Sequence, residues 1–222
     1  FCTLAVLLLF VAINSSGWML LLVWPGLSAG VVGLGYLSLG HRVFGKRNDG
    51  TMSWISILIL LPYLLYLWTI WHLLHWVSRE PAYNTVVDGL VIGRRLLSSE
   101  IPTEIATVVD LTSEFPEPSA LRNVDHYFGS PMLDASVLAP NELANLASNI
   151  AVATPPLYIH CAQGHGRTGL VAALTLIARG DAIDAQTALD LVTSSRPGVS
   201  LNRVQQDSLR TVASLLRSRR ND

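Results

Sequence analysis

Cys161 and Arg167 stand six positions apart, with His160 before the cysteine, Ala162-Gln163-Gly164-His165-Gly166 between them and Thr168 directly after. That spacing suits cleavage of a phosphate ester through a thiolate. Five residues that include two glycines can curl so that successive N–H groups point inward as an anion nest. Arg167 adds a planar fork that bonds two phosphate oxygens at once, which a lysine does not. Cys161 would lie at the base of the nest, where the amides, the arginine and a following helix N-terminus all favour the thiolate. Cysteines in such surroundings ionise at ~3.5–7.5 instead of ~8.5.

The flanking residues supply the elements that such a loop needs. Pro156-Leu157-Tyr158-Ile159-His160 is a short apolar run that reads as a buried strand ending at the cysteine. Thr168 to Ala178 reads as an apolar helix broken at Gly180. Strand, loop and helix in that order aim a helix N-terminus at a bound phosphate. Upstream, Thr85 to Gly93 reads as a hairpin turning at Asp88-Gly89, and Ile105 to Thr112 as a buried strand with a polar end. Downstream, a helix opens at Pro140, another spans Asp184 to Val192, and a last amphipathic helix runs from Leu201 to Leu216.

A His-Cys pair, five residues, then Arg-Thr resembles the cysteine-dependent phosphatases, specifically the compact dual-specificity branch, over roughly residues 84 to 216. The resemblance implies an α/β fold, a three-layer phosphatase sandwich with a central, mostly parallel sheet. It implies Cys161 as nucleophile, Arg167 and the amides of 162–166 as the phosphate site, and Thr168 as a hydrogen-bond donor to the departing thiolate. An aspartate some tens of residues before the cysteine would be the general acid. Asp134, 27 residues before Cys161, fits that place best, because the apolar residues before it lead directly into it; Asp125 is the rival. Asp110 and His160 take supporting parts, with His160 orienting the loop through backbone hydrogen bonds. A glutamine at the start of the last helix would position the hydrolytic water. Gln205 is the closer match and Gln206 the other candidate.

The chain as a whole joins two compositions. Of 15 basic and 16 acidic residues, only Arg42, Lys46, Arg47 and Asp49 lie in residues 1–78, and all six tryptophans are there. This predicts a transmembrane helical region at 1–78 and a catalytic domain at 79–222. Ser53 to Val77 carries no charge and is long enough to cross ~30 Å of hydrocarbon, with tryptophans toward both ends and Pro62 within. Gly17 to Leu39 is a second uncharged run, in which Gly30, Gly33 and Gly35 would permit close helix contact. Phe1 to Ile13 reads as the remainder of a shortened first span, giving two or three spans in all.

Basic residues flank the last span on both sides in equal number, so they leave its orientation undecided. A reducing cytoplasm suits a reactive thiolate, and the catalytic domain is expected there. Cys2 and Cys161 are the two cysteines, which excludes a disulfide framework within residues 79–222. That region is mildly acidic, and a nucleic-acid partner is not expected. His72 and His75 lie one turn apart without a third ligand nearby, so neither metal nor cofactor is expected.

The substrate expected is a phosphoprotein (on tyrosine, serine or threonine) or a membrane phospholipid. Lipid-directed relatives that take polyphosphoinositides carry lysines in the loop where this chain has Ala162 and His165. The reading from another class is a phosphate-binding membrane module without turnover, which would lack the nucleophile, the arginine or the acid.

Overall fold

The computed structural model describes residues 1–102 and 104–221, and the chain divides into two compact units. One is helical and comprises Phe1–Arg47, Thr51–Arg79 and Ser113–Pro116; the other comprises Asn48–Gly50, Glu80–Thr112 and Glu117–Asp222.

In the helical unit, α1 (Cys2–Ile13), α2 (Val23–Leu34) and α3 (Trp54–Val77) are built from apolar residues with little sidedness. Glycines let α1 and α2 approach. A Cβ at Gly26 would lie 3.0 Å from Leu9, and one at Gly33 would lie 2.6 Å from the Cys2 sulfur. Gly35 serves another contact, facing Val43 at 2.8 Å. Two stretches, Gly17–Phe44 and Trp54–Val77, are helices long and apolar enough to cross a membrane. His72 and His75 both meet the Trp71 ring, edge-on at 4.9 Å and stacked at 5.4 Å.

The second unit is built on a mixed five-stranded sheet of β1 (Tyr83–Val87), β2 (Leu90–Arg94), β3 (Thr107–Thr112), β4 (His126–Met132) and β5 (Leu157–Cys161). The order is β1-β2-β5-β3-β4. Only the β1–β2 hairpin is antiparallel; it turns at Asp88-Gly89, where Gly89 supplies a φ of +72°. The parallel strands β3 and β5 are buried on both sides, which is why they read as largely apolar runs broken only by Thr107, Asp110, Thr112 and His160.

Ile92, Val109, Leu111, Leu157 and Ile159 face one core, which they share with α5 (Pro140–Ala151), α6 (Gly166–Arg179), α7 (Ala185–Ser195) and α8 (Arg203–Asn221). Helix α6 is central, with every residue from Arg167 to Ile177 buried. Val91, Val108 and Tyr158 face the other side. There the expected three-layer sandwich is lopsided. That face is covered by Leu96, Ile101, Ile105 and the single-turn α4 (Ser119–Arg122) with its Leu121.

Candidate active site

Cys161 ends β5, and the strand register sets Arg94 of β2 beside it and Asp110 of β3 beside His160. The carboxyl ends of β3, β4 and β5 thus converge on one crevice, where ligands of open α/β sheets bind. Cys161 is 3% exposed, and its Sγ accepts the Gly164 N–H at 3.3 Å. Gly164 has a φ of +73°, and a Cβ there would lie 2.3–2.6 Å from the backbone of Gly93 and Arg94. Only glycine fits between the loop and β2.

Arg167, 2% exposed, is the first turn of α6 turned inward. Its Nη1 donates to the Leu111 carbonyl at 3.3 Å and the Met132 carbonyl at 2.9 Å, at the ends of β3 and β4. Its Nη2 lies 3.4 Å from Asp134 Oδ1, whose side chain is 75% exposed. Asp134 follows β4 at the same end of the sheet as Cys161, whereas Asp125 precedes β4 at the opposite end. Next to Asp134, Ala135 adopts a left-handed φ of 59°, and its carbonyl accepts Asn202 Nδ2–H at 2.8 Å. The loop bearing Asp134 is thereby tied to the start of α8.

Gln205 also belongs to this start. It is buried, and its amide lies 2.9–3.1 Å from where a Gly166 Cβ would stand. Its Oε1 accepts the Asn202 N–H while Asn202 Oδ1 accepts its own N–H, a reciprocal cap. Gln206 Nε2 donates instead to the Leu201 carbonyl. Thr168 is fully buried, and its hydroxyl has no hydrogen-bond partner among the described residues.

Behind the loop, His160 is fully buried and stacks on Tyr158 with ring centroids 5.3 Å apart. Its Nε2 lies 3.5 Å from Glu117 Oε1, a partner that local sequence reading did not supply. Asp110 Oδ1 accepts the Thr112 N–H and hydroxyl at 2.8 and 2.7 Å, and Oδ2 accepts the Tyr127 hydroxyl at 2.7 Å. Burial, then the Asp110 carboxylate, pushes the Tyr127 phenol well above its ordinary range, so it stays a donor. Asp110, Glu117 and His160 offer ligand atoms within 4.8 Å of one another, which is the geometry of a metal-binding set. Three donors already occupy the Asp110 oxygens, and His160 and Glu117 meet at 3.5 Å.

Arg196, just after α7, was not singled out by the sequence, and it bonds the loop at two carbonyls. It is 2% exposed. Nε and Nη2 donate to the carbonyls of Gly164 and Gln163 at 3.0 and 3.2 Å, turning those carbonyls away from the cradle. Nη1 donates to the Pro81 carbonyl and to Asn84 Oδ1, both at 2.9 Å, and Nη2 to Glu80 Oε2 at 3.2 Å. Burial pulls its pKa below the ordinary arginine value, with Glu80 opposing. Its partners are 32 to 116 residues away in the chain, so no local spacing could reveal it.

The fold and the family match together define a phosphatase-type domain. Residues 94–217 match the family described as Swiss Army Knife protein, DSP-PTPase phosphatase domain (PTP-SAK). The match spans more than half of the chain, which belongs to that family. The "Putative tyrosine phosphatase 197R" of Invertebrate iridescent virus 6 is 35% identical over 100 residues, covering 40% of this chain. The chain spans 37% of that relative's length. Among solved structures, human DUSP28 has a TM-score of 0.55 at 16% identity, covering 62% of this chain and 97% of its own. PTPMT1 in complex with PI(5)P has a TM-score of 0.54 at 14% identity, covering 63% and 99%. At these identities the likeness is one of fold.

Proposed function

We propose that this chain hydrolyses phosphomonoesters through a cysteinyl-phosphate intermediate, with residues 79–222 as the catalytic domain and residues 1–78 as a membrane anchor. The observation that carries the reading is the Cys161–Arg167 loop itself. An amide is directed at the sulfur, two loop carbonyls are turned outward onto Arg196, and a buried arginine is locked at the strand ends.

Phosphate binds between the amides of Ala162 to Gly166 and the Arg167 fork. The Cys161 thiolate attacks phosphorus, and Asp134 protonates the leaving oxygen, without which an alkoxide or phenoxide departs slowly. The ionised Asp134 then takes a proton from water, which attacks the cysteinyl phosphate. Gln205, beside Gly166, orients that water, and the partnerless Thr168 hydroxyl donates to the departing sulfur. Arginine and backbone dipoles stabilise the transition-state charge, so the scheme needs neither metal nor cofactor.

The substrate is a phosphoprotein or a membrane phospholipid. The two long apolar helices support a membrane location, and a reactive thiolate supports a cytoplasmic face for the catalytic domain. PTPMT1 is seen with PI(5)P, so a fold of this kind admits a lipid headgroup. The test is phosphate release by the detergent-purified chain on a phosphotyrosyl peptide and on a phospholipid monoester in mixed micelles. Cys161→Ser and Arg167→Lys are expected to abolish release on whichever substrate is turned over. Unchanged release in either variant refutes the mechanism.

A further inference from the structure

The basic side chains that belong to the phosphate loop or touch it are matched, one after another, by internal carboxylates. Arg94 makes a two-pronged pair with Glu100 at 2.9 and 2.8 Å. Arg95, whose amide bonds the Ala162 carbonyl, has Glu117 at 3.9 Å, and His160 has the same carboxylate at 3.5 Å. His165 and Arg196 share Glu80, at 2.8 and 3.2 Å. Arg167 donates to the Leu111 and Met132 carbonyls and has Asp134, the exposed acid of the proposed reaction, at 3.4 Å. Among the described residues, each of these basic side chains thus has a carboxylate beside it.

The Glu80–His165 pair is the one at the rim. The two side chains are 38% and 36% exposed, while the other pairs lie deeper. The pair needs glycine at 198, where a Cβ would stand 2.1 Å from Glu80 Oε1 and 2.7 Å from His165 Nε2.

We propose that Glu80 is a specificity-determining residue that restricts the site to substrates bearing a single phosphoryl group. It does so by holding the His165 ring and the Arg196 guanidinium and by presenting a carboxylate to any second phosphate. This rests on the phosphatase reading and narrows its substrate class to monophosphorylated peptides or lipids. Like charges a few ångströms apart at a partly exposed rim repel by an amount that solvent reduces but does not erase. Glu80 acts through His165 and Arg196, so it also positions the loop. A loss of loop order lowers turnover of every substrate alike and cancels in a ratio of two substrates.

The experiment compares singly with doubly phosphorylated versions of one peptide and of one phosphoinositide, on the full chain in mixed micelles. Wild type is expected to favour the singly phosphorylated member of each pair. Glu80→Gln is expected to raise the double-to-single ratio of kcat/KM roughly fivefold, and Glu80→Asp to restore it. A wild-type preference for the doubly phosphorylated member, or a ratio unmoved by Glu80→Gln, overturns the proposal. Calorimetry of pyrophosphate against inorganic phosphate on the Cys161→Ser chain reads the same ratio without turnover. Absence of hydrolysis on every substrate would therefore refute the phosphatase reading while leaving this one decided by binding.

Discussion

At the scale of single residues, the loop is held from outside as much as it is shaped by its own sequence. Arg196 fixes two loop carbonyls with a planar fork, a geometry that a lysine's point charge cannot reproduce. Arg196→Lys is expected to lower kcat/KM by about 10- to 100-fold through misplacement of the amides, and steady-state kinetics with vanadate inhibition would read both effects. Thr168 offers the opposite case. Its buried hydroxyl has no partner among the described residues, so Thr168→Ala should leave thermal stability unchanged or slightly raised. Loss of the donor to the leaving sulfur should slow breakdown of the intermediate and enlarge a pre-steady-state burst.

Tyr127 carries the pH dependence. Its phenol is raised by burial and by Asp110. The folded chain keeps this proton where the unfolded chain releases it, so the stabilisation is complete below ~10 and falls as pH rises beyond that value. Melting curves from pH 8 to 11 should show the loss. Tyr127→Phe should flatten the curve without making it level, because Tyr158 is buried and raised in the same sense.

At the scale of elements, what could be read from the sequence was what is local. The β5–loop–α6 unit was legible because an apolar strand, a glycine-bearing loop and an apolar helix follow one another within residues 157–179. Hairpin and capped helices were legible for the same reason: Asp88-Gly89 turns β1 into β2, and Asp184 caps α7 by accepting the Thr187 N–H at 2.7 Å. The supports of the loop were not legible. Glu80, Glu117 and Arg196 reach it from remote parts of the chain through packing that no periodicity announces. The narrow gap between β2 and the loop is another such product. Gly164→Ala would force a Cβ to within 2.3 Å of β2 backbone at a left-handed φ. At least about a 100-fold loss of phosphate affinity is expected, measurable by calorimetry on the Cys161→Ser background, with circular dichroism showing the sheet retained.

At the scale of the whole chain, the boundary proposed near residue 79 divides the covalent sequence more simply than it divides the packing. Asn48–Gly50 belongs to the unit built on the sheet. There a Cβ on Gly129 would meet the Asn48 backbone at 2.7 Å, and the Gly50 carbonyl accepts the Glu117 N–H at 2.9 Å. Conversely, Ser113–Pro116 belongs to the helical unit. The Glu114 carbonyl accepts Trp68 Nε1–H at 3.0 Å, and Phe115 packs against Trp71 with centroids 5.6 Å apart. Each unit thus takes a short segment from the stretch of chain that otherwise builds the other.

A fragment of residues 80–222 would lose the Asn48–Gly50 strap beside β4 and the Trp68 and Trp71 rings against Phe115, which is 4% exposed in the full chain. Burying one such aromatic is worth roughly 1.5–3 kcal/mol. A shift of several degrees in melting midpoint is therefore expected between the fragment and the full chain in the same detergent. Equal midpoints would show that the catalytic domain is complete at residue 79. A lower midpoint in the fragment would show that the Asn48–Gly50 strap and the cover over Phe115 contribute to the stability of the chain beyond residue 79.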